Sequence, residues 1–479
     1  MSNDAEPARQ TTTPKPPPAW RGWALFGLTV VATFLLGLLA ASVLERRREA
    51  RPPAPIRPID EMEMDSGRWG ENFPRQHDAY RRMLDDSTRT KYGGADPRDY
   101  LAETPANVIL FAGYGFAQEY RQARGHVYAV EDVTQTERVG PATPSTCWTC
   151  KSPDVPRLMG RMGTAEFYAS RFLDLTDEIT HPIGCFDCHE PNSMTLRITR
   201  PALREAFERM GRDVDQVSHQ EMRTLVCAQC HVEYYFRGPG KYLTFPWDDG
   251  LGAERMETYY EASEFADWTH AISQAPMVKM QHPDYEVYTT GVHAYRDVSC
   301  ADCHMPYRTE GGVKFTDHHV QSPLLNVEGS CAVCHRWGED EIRRRVEGIQ
   351  DKVREGRDRA EAALARAHFD LAAAAQAGAA DEELQGARGL VRRAQLRWDY
   401  VAAHNGMGFH SPQECMRLLG AAVDLAGQCR VECARILARH DVTTPVRYPD
   451  FGTKEKAQAL VAQFAEGSPP DLLGEGAGR

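Results

Sequence analysis

The 479-residue chain has no excess of basic residues, and over much of its length it lacks the regular patterns of strands or long helices. Its net charge of −12 argues against a nucleic-acid partner, because binding to phosphates requires a basic face. No strand-turn-strand series stands out between about residues 65 and 335, and few long periodic segments occur there. This part is instead dense in glycine, proline, aromatic residues and cysteine. The pattern predicts short helices and loops that wrap around something other than side chains.

The N-terminal 64 residues differ from the rest of the chain. Residues 1–22 are polar and proline-rich and are predicted to form a disordered leader. The run 23–44 carries no charge, and a helix of that length rises about 33 Å, enough to cross a hydrocarbon core of about 30 Å. We predict an uncleaved transmembrane anchor there, and a long cleaved signal peptide is the alternative. Residues 45–64 are predicted to form a proline-rich stalk.

Ten of the thirteen cysteines lie in five Cys-x-x-Cys pairs. Four of these pairs are followed directly by histidine: Cys185, Cys188 and His189; Cys227, Cys230 and His231; Cys300, Cys303 and His304; Cys331, Cys334 and His335. Cys-x-x-Cys-His attaches haem c through two thioether bonds, and its histidine becomes the proximal ligand of the iron. Zinc also binds such cysteine pairs, but a zinc ribbon does not explain a histidine after each of the four pairs.

The fifth pair, Cys147 and Cys150, is followed by Lys151. A Cys-x-x-Cys pair alone could be a redox dithiol. Beside four haem motifs it is better interpreted as a fifth haem site in which lysine replaces histidine. A lysine amine can ligate iron once it is deprotonated, and coordination depresses its pKa as burial does. The sequence therefore predicts five covalent haems, one of them with an unusual proximal ligand.

The haem motifs also predict the location of the protein. Haem c is attached on the outer side of the bacterial inner membrane, so we expect the body on the periplasmic side, tethered to that membrane by the N-terminal helix. The positive-inside rule slightly favours the opposite orientation, because four arginines follow the uncharged run: Arg46, Arg47, Arg48 and Arg51. We give the haem motifs more weight, since charge asymmetry is a bias and the attachment chemistry is close to a requirement.

After residue 338 the sequence takes on a helical pattern. Four apolar residues recur at spacings of three and four: Ile342, Val346, Ile349 and Val353. Three helices are predicted, over about 339–378, 382–405 and 411–440. Asp381 is the expected N-cap of the second helix, and Ser411 is the expected N-cap of the third, with Pro412 at its first position.

Together these patterns predict a mainly α fold. A pentahaem body of short helices and loops occupies residues 65–338, and long helices occupy residues 339–463. Such helices often supply an oligomer interface, and these are the segment in which we expect one. Residues 464–479 are rich in glycine, proline and glutamate and are predicted to be disordered. Three further cysteines in the helices are interpreted as small buried thiols: Cys415, Cys429 and Cys433.

Four segments of the body resemble the pentahaem cytochrome c nitrite reductases, the ammonia-forming family. They are Cys-Trp-Thr-Cys-Lys-Ser-Pro-Asp-Val (147–155), Cys-Ala-Gln-Cys-His-Val-Glu-Tyr-Tyr-Phe (227–236), Phe-Pro-Trp-Asp-Asp-Gly (245–250) and Lys-Met-Gln-His-Pro (279–283). The resemblance covers most of the chain, from about residue 65 to 463. It implies the reduction of nitrite to ammonium, a homodimer, and a quinol-oxidising multihaem cytochrome as the electron donor. Relatives of this family often accept hydroxylamine, nitric oxide or sulfite, so side activities of that kind are expected.

The resemblance also implies the distal haem ligands. In the family's pattern they fall in Arg-Gly-His, Gly-Val-His, Thr-Asp-His and the histidine before Ser-Pro. Here these are His126, His293, His318 and His410, serving the third, fifth, second and fourth haems in chain order. His319 is an alternative to His318, and His404 is a weaker rival of His410. The other histidines are expected on the surface or in the core: His77, His181, His219, His270, His368 and His440.

No distal ligand is left for the Lys151 haem in this scheme, and an open iron position is what a haem needs to bind a substrate. The resemblance implies Arg138, Tyr234 and His282 on that open face. A cationic pocket attracts nitrite, a small anion, and hydrogen bonds to its oxygens weaken the N–O bonds. Reduction to ammonium consumes six electrons and eight protons, and histidine and tyrosine can supply protons to successive intermediates.

Calcium is a second implication of the resemblance. The implied ligands are the side chains of Glu233 and Gln281 and the main-chain carbonyls of Tyr234 and Lys279, an all-oxygen set that suits a hard cation. The alternative to an enzyme is an electron-transfer cytochrome without catalytic activity. That alternative predicts a sixth ligand on every iron, and Lys151 without an assigned partner argues against it.

Overall fold

A computed structural model of the chain describes residue 18 and residues 20–49 and 55–474. The described residues fall into two units, which divide between residues 53 and 54. In the first unit, helix α1 (Trp20–Glu49) contains the predicted anchor, and its apolar part has a mean hydropathy of 2.3. By length and composition this helix could cross a membrane, a property that N-terminal signal sequences share. Most of the predicted leader lies outside the described residues.

The second unit is built mainly from helices, as predicted. Its described residues contain these α-helices: α2 Ser66–Gly70, α3 Pro74–Arg81, α4 Tyr100–Glu103, α5 Ala106–Leu110, α6 Ala129–Gln135, α7 Asp154–Met162, α8 Thr164–Ala169, α9 Cys185–Cys188, α10 Pro201–Arg209, α11 His219–Ala228, α12 Ala253–Ala262, α13 Asp284–Thr289, α14 Cys300–His304, α15 Val327–Ser330, α16 Glu339–Gln376, α17 Asp381–Ala403, α18 Pro412–Arg439 and α19 Lys454–Ala465. Short 3₁₀-helices lie between them: Arg82–Leu84, Gly115–Ala117, His126–Tyr128, Ser145–Trp148, Phe172–Glu178, Val214–Gln216, Ala294–Arg296 and Pro323–Leu325. In this second unit the α-helices before residue 338 have ten residues or fewer, whereas α16 has 38.

The strands of the described residues form three small antiparallel ribbons: β1 (Tyr235–Arg237) with β2 (Tyr242–Thr244), β3 (Trp268–Thr269) with β4 (Pro276–Met277), and β5 (Tyr307–Glu310) with β6 (Val313–Thr316). Their registers place Tyr235 opposite Thr244, Trp268 opposite Met277, and Tyr307 opposite Thr316. The first two ribbons lie beside segments that matter for the site: β1 directly follows Tyr234, and β4 directly precedes Val278 and Lys279.

The three long C-terminal helices α16, α17 and α18 pack against one another. Gly378, with φ +92°, lies two residues past the end of α16, where the left-handed conformation favours glycine. Ser411 occupies the N-cap position of α18 with Pro412 next, as predicted. Asp381 is the first residue of α17, and Ala380 occupies the N-cap position instead of Asp381. The Ala380 N–H donates a hydrogen bond to the Glu383 carboxylate at 3.0 Å. The thiols of α18 are buried as expected: Cys415, Cys429 and Cys433.

The predicted stalk differs from the structure over residues 55–64. Ile59 and Met64 are buried in a small apolar cluster with Trp69, Phe73 and Phe186. Burial of these side chains is favourable at about 25 cal/mol per Å² of apolar surface, so this segment packs on the body and does not extend freely. Because Phe186 lies between the two cysteines of the second haem motif, the segment supports that motif.

The predicted disordered tail is also wrong for its first part. Residues 466–474 fold back onto the body, and Leu472 is buried. The Leu472 N–H donates to Oε1 of Gln376 at 3.0 Å, and its carbonyl accepts from the N–H of Arg447 at 2.9 Å. An apolar side chain with both main-chain groups paired is the physical reason for this order. The remainder of the tail, residues 475–479, lies outside the described residues.

Candidate haem and substrate site

Each of the four motif histidines lies close to the ring of a second histidine. The centroid distances are 6.4 Å for His126 and His231, 6.2 Å for His189 and His318, 6.3 Å for His293 and His335, and 6.3 Å for His304 and His410. A metal–imidazole bond of about 2 Å on each side, together with the distance from each nitrogen to its ring centre, accounts for a separation of this size. Each pair joins one motif histidine to one of the distal histidines that the resemblance implies. The spacing therefore fits an iron held between each pair.

Hydrogen bonds to the main chain orient several of these rings. Nδ1 of His189 lies 2.9 Å from the carbonyl oxygen of Met194, and Nδ1 of His304 lies 3.0 Å from that of Gln321. On the distal side, Nδ1 of His318 lies 2.7 Å from the carbonyl of Thr316. A histidine that donates its Nδ1–H in this way presents Nε2 to a metal, which is the usual arrangement of metal-binding histidines.

Two alternatives left open by the sequence are separated by geometry. His319 does not face a motif histidine: its Nε2 lies 3.1 Å from the Asp86 carboxylate, while His318 faces the second motif. His404 lies near His410, but its Nε2 accepts a hydrogen bond from the Gly408 N–H at 3.1 Å. The structure thus brings His318 and His410 to the positions that the ligand scheme requires.

The remaining histidines lie where they were expected, on the surface or in the core. His270 and His368 are fully buried and stacked, with ring centroids 3.7 Å apart. The others are partly or fully exposed: His77, His181, His219 and His440.

The cysteines of neighbouring motifs lie close together. The side chains of Cys150 and Cys230 lie close enough together to interact electrostatically, and so do those of Cys227 and Cys300. These contacts make the third motif a neighbour of both the Lys151 motif and the fourth motif. Further thiols are close enough to interact electrostatically, linking the second motif to the third (Cys188 and Cys227) and the fourth to the fifth (Cys303 and Cys331).

The Lys151 motif sits on a rigid segment. The Trp148 ring is fully buried and stacks on Phe172 at a centroid distance of 4.0 Å, and its indole N–H donates to the Phe172 carbonyl at 3.1 Å. Arg200, also fully buried, donates to the carbonyl oxygens of Thr149 and Ser152 at 2.7 and 2.8 Å. These contacts on both sides of Lys151 fix the course of the main chain around it.

The three side chains implied for the open face gather beside this motif. The Arg138 guanidinium lies 4.3 Å above the Phe116 ring, its Nε donates to Oγ1 of Thr136 at 3.2 Å, and its charge acts on Cys147. Burial raises the pKa of Tyr234 well above its usual value, and the nearby thiols Cys150 and Cys147 raise it further. A neutral phenol with a buried hydroxyl can donate a hydrogen bond at neutral pH.

His282 lies much later in the sequence than the Lys151 motif, in the segment that follows β4. Burial lowers the pKa of His282 to about 4, and Lys151 is one of the charges that act on it. Its Nε2 lies 2.7 Å from Nδ2 of Asn405 and 3.2 Å from Oδ2 of Asp284. The same carboxylate lies 3.1 Å from Nδ1 of His231. Although burial raises the pKa of Asp284, His282 and His231 lower it more strongly, so the carboxyl group is anionic.

Asp284 and Asn405 were not predicted from the sequence. Asp284 comes two residues after His282, directly after the Lys-Met-Gln-His-Pro segment. This closeness in sequence to His282 could have suggested that Asp284 lies at the site. Asn405 is 123 residues from His282 along the chain and carries no local signal. Ligand atoms of His231, His282 and Asp284 lie within 4.8 Å of one another, close enough to hold a metal ion. His231 also faces His126, so we assign this cluster to the haem site.

The residues implied for calcium also come together. Glu233 is fully buried; its Oε1 accepts from the Tyr260 hydroxyl at 2.8 Å and its Oε2 accepts from the Gln281 N–H at 2.5 Å. Nε2 of Gln281 lies 3.2 Å from the carbonyl oxygen of Lys279. The ammonium group of Lys279 is engaged elsewhere, in a buried ion pair with Asp399 at 2.8 Å.

The charge balance around Glu233 fits a bound cation. Burial raises the pKa of Glu233 well above its usual value, and the neighbouring Glu286 raises it further. Burial also raises the pKa of Glu286 to about 8, and its Oε2 has no hydrogen-bond partner among the described residues. Two adjacent buried carboxyl groups are costly without a counter-charge, and oxygen ligands of this kind suit calcium.

Comparison with known proteins agrees with this arrangement. Residues 65–468 match the family model described as Cytochrome c552. A cytochrome c-552 of Parabacteroides distasonis is 49% identical over 452 residues, covering 92% of each chain. A cytochrome c-552 of Porphyromonas gingivalis is 47% identical over 463 residues, covering 94% of this chain and 92% of the relative.

A solved structure is similar over most of the body. It is the cytochrome c nitrite reductase of Desulfovibrio desulfuricans, whose catalytic subunit has two calcium sites. The TM-score is 0.75 at 34% identity, with 79% of this chain and 87% of that chain covered. The family model, the relatives and the paired histidines lead to the same conclusion: this chain belongs to the cytochrome c552 family, the pentahaem cytochrome c nitrite reductases, as its haem motifs predicted.

Proposed function

We propose that this protein reduces nitrite to ammonium, with six electrons and eight protons, at the haem attached to Cys147 and Cys150. The observation that carries the proposal is the pairing of the histidines. Each of the four implied distal histidines faces a motif histidine, so none of them is left for the haem of Lys151: His126, His293, His318 and His410. When bound there, the haem supplies an iron with an open coordination position and a route for electrons.

The side chains around that position bind the anion and supply protons. Arg138 supplies fixed positive charge that attracts nitrite and hydrogen-bonds its oxygens. Tyr234, protonated because burial raises its pKa, donates a hydrogen bond and passes protons toward the reacting nitrogen. His282, neutral at pH 7 because burial lowers its pKa to about 4, accepts protons from solvent and delivers them. The site thus combines anion binding with proton supply.

When bound, the other four haems would supply a route for electrons to the haem of Lys151. The proximity of the motif cysteines supports this order of neighbours: the fifth motif lies next to the fourth, the fourth next to the third, and the third next to both the Lys151 motif and the second motif. The donor is a quinol-oxidising multihaem cytochrome on the periplasmic side of the inner membrane. Helix α1 tethers the protein to that membrane.

A calcium ion would bind beside the substrate position. The side chains of Glu233 and Gln281 and the carbonyl oxygens of Tyr234 and Lys279 would hold it, since these groups lie close together. Because Tyr234 directly follows Glu233 and His282 directly follows Gln281, the ion holds both proton-donating residues in place. Its charge also offsets the buried carboxyl groups.

The protein forms a homodimer through α18. This helix exposes a stripe of apolar and small residues at spacings of three and four: Met416, Gly420, Val423, Gly427 and Val431. We expect Val423→Glu to yield monomers in sedimentation velocity, while Gln428→Glu, which adds the same charge off the stripe, leaves the dimer intact. Dimers in both variants would place the interface elsewhere.

The test of the proposed activity is direct. The purified holoprotein is reduced with a viologen dye, nitrite is added, and ammonium is quantified. We expect stoichiometric ammonium from the wild type, and a loss of at least tenfold in kcat in Lys151→His and His282→Ala; Lys352→His and His219→Ala, at exposed positions, serve as matched controls. Failure to form ammonium, or equal rates in all variants, contradicts the proposal. Hydroxylamine, nitric oxide and sulfite are tested in the same assay as side substrates.

A further inference from the structure

Asp284 contacts two histidines that have different tasks. It begins helix α13 and is 8% exposed. Its Oδ2 lies 3.1 Å from Nδ1 of His231, the motif histidine of the third haem, and 3.2 Å from Nε2 of His282, on the substrate side. The two imidazole rings are only 4.5 Å apart, between their centroids. One carboxylate therefore lies between the electron-delivering haem and the catalytic pocket.

Asn405, from the C-terminal helical region, also contacts Asp284 and His282. It follows the end of α17 in the segment that also carries His410. Its main-chain N–H donates to Oδ1 of Asp284 at 2.5 Å, and its Nδ2 lies 3.0 Å from Oδ2 of the same carboxylate. The same amide nitrogen lies 2.7 Å from Nε2 of His282. Asn405 thus holds both the carboxylate and the catalytic imidazole.

The groups that face Asp284 are imidazoles and an amide. The imidazoles of His282, His231 and His410 are the titratable groups that act on it, and its side-chain contacts with basic groups within the described residues involve histidine only. A carboxylate that accepts the Nδ1–H of a metal-bound histidine increases the electron density at the other ring nitrogen. Such a ligand stabilises the oxidised iron and lowers the reduction potential of its haem.

We propose that Asp284 is a positioning residue that sets the ligand field of the third haem through His231 and, with Asn405, fixes the ring of His282. The role of His282 in this statement rests on the proposed nitrite reduction, whereas the role of His231 rests only on haem binding. The two arms can therefore be tested separately.

The first arm is tested without nitrite. The five haem potentials are measured by redox titration followed by optical and EPR spectroscopy in the wild type, Asp284→Asn, Asp284→Glu and the exposed control Asp177→Asn. We expect one potential, that of a bis-histidine haem, to shift upward in Asp284→Asn, to return toward the wild-type value in Asp284→Glu, and to be unchanged in the control. An unchanged set of potentials, or an equal shift of all five, overturns this arm even if the protein reduces nitrite.

The second arm is tested through Asn405→Ala, which removes the amide contacts to His282 and to Oδ2 of Asp284 and leaves the main-chain hydrogen bond to Oδ1 of Asp284. We expect kcat for nitrite to fall about tenfold, within the range seen when outer-shell partners of metal ligands are removed, with the haem potentials close to those of the wild type. An unchanged kcat overturns this arm. If Asp284→Asn does not assemble its haems, Asp284→Ser, which also removes the carboxylate, decides the first arm, since potentials identical to the wild type in that variant would reject it.

Discussion

The haem-binding body and the C-terminal helices bury different kinds of side chain. In the body, charged groups are fully buried close to the haem motifs, among them Arg200, Glu233 and Glu286. In α16 to α18 most of the buried positions are alanine, leucine, valine or cysteine. Buried ions are stable only when each is paired, whereas apolar packing needs no partner of opposite charge. The body therefore depends on its ion pairs and cofactors, and the helices depend on close packing.

The largest expected effect comes from breaking a buried ion pair of the body. Arg200 pairs with Asp187 at 2.6 Å, and both side chains are buried. Arg200→Ala leaves a buried carboxylate without a counter-charge and two main-chain carbonyls without a donor, and we expect a loss of about 4 kcal/mol of unfolding free energy. Thermal and denaturant unfolding measure this loss. As a control, Arg204→Ala breaks the exposed pair with Asp215 and should cost less than about 1 kcal/mol. An equal loss of unfolding free energy in Arg200→Ala and Arg204→Ala would show that the body does not depend on its buried ion pair.

A cavity in the helices should destabilise the protein without changing its chemistry. Leu418 of α18 is fully buried, and Leu418→Ala removes apolar contacts at a cost of about 3 kcal/mol. We expect a lower denaturation midpoint with the haem spectrum and the kcat for nitrite unchanged. Gln428→Ala, at an exposed position of the same helix, is the control. A change of kcat in Leu418→Ala would show that the packing of the helices affects the chemistry of the site as well as stability.

The stacked pair His270 and His368 connects the two regions and should make the protein sensitive to acid. Nε2 of His368 lies 2.8 Å from Oε1 of Gln395 in α17, and its Nδ1 lies 2.8 Å from the Ser273 hydroxyl of the body. Burial lowers the pKa of His368 to about 4, below the unfolded value of about 6.5. The folded state then binds fewer protons than the unfolded state between these values.

The contribution of His368 to stability is therefore complete above about pH 6.5 and is lost as the pH falls toward 4, by about 3 kcal/mol in total. His368→Gln should flatten the dependence of unfolding free energy on pH in this window, and His219→Gln, at an exposed position, should not. Parallel curves for wild type and His368→Gln would reject the role of this pair.

Removal of calcium should have a smaller effect that is confined to the body. Without the ion, Glu233 and Glu286 lose their counter-charge, and we expect chelation to lower the unfolding free energy by about 2 to 3 kcal/mol, the value for a ligand at about 100 times its Kd. Differential scanning calorimetry with and without chelator measures this effect. Readdition of calcium should restore both stability and activity, and Glu233→Gln should no longer respond to either treatment.

The haem motifs were predictable because their chemistry is local. Cys147, Cys150 and Lys151 are close neighbours in the sequence, and so are the members of each Cys-x-x-Cys-His motif. The long helices were also predictable, since their apolar residues recur at regular spacings; only their ends shifted, as at Asp381. The distal histidines came from family resemblance, because no spacing rule connects His126 with His231.

Contacts between distant residues were not predictable from the sequence. Asn405 and His282 are in contact only because α17 packs on the body, and no sequence pattern in either segment predicts this contact. Ile59, Met64 and Leu472 lie in segments whose composition is typical of linkers and tails, yet their apolar side chains are buried. One or two buried residues are enough to order such a segment and too few to give a periodic signal.

If the Lys151 haem binds substrate and the other four carry electrons, EPR spectroscopy of the oxidised protein before and after addition of nitrite should distinguish them. We expect four low-spin bis-histidine haems that do not respond and one haem whose signal changes when nitrite binds. We also expect Lys151→His to alter the signal of that haem alone. Five low-spin haems whose signals are all unchanged by nitrite would contradict the proposed function and identify the protein as an electron carrier.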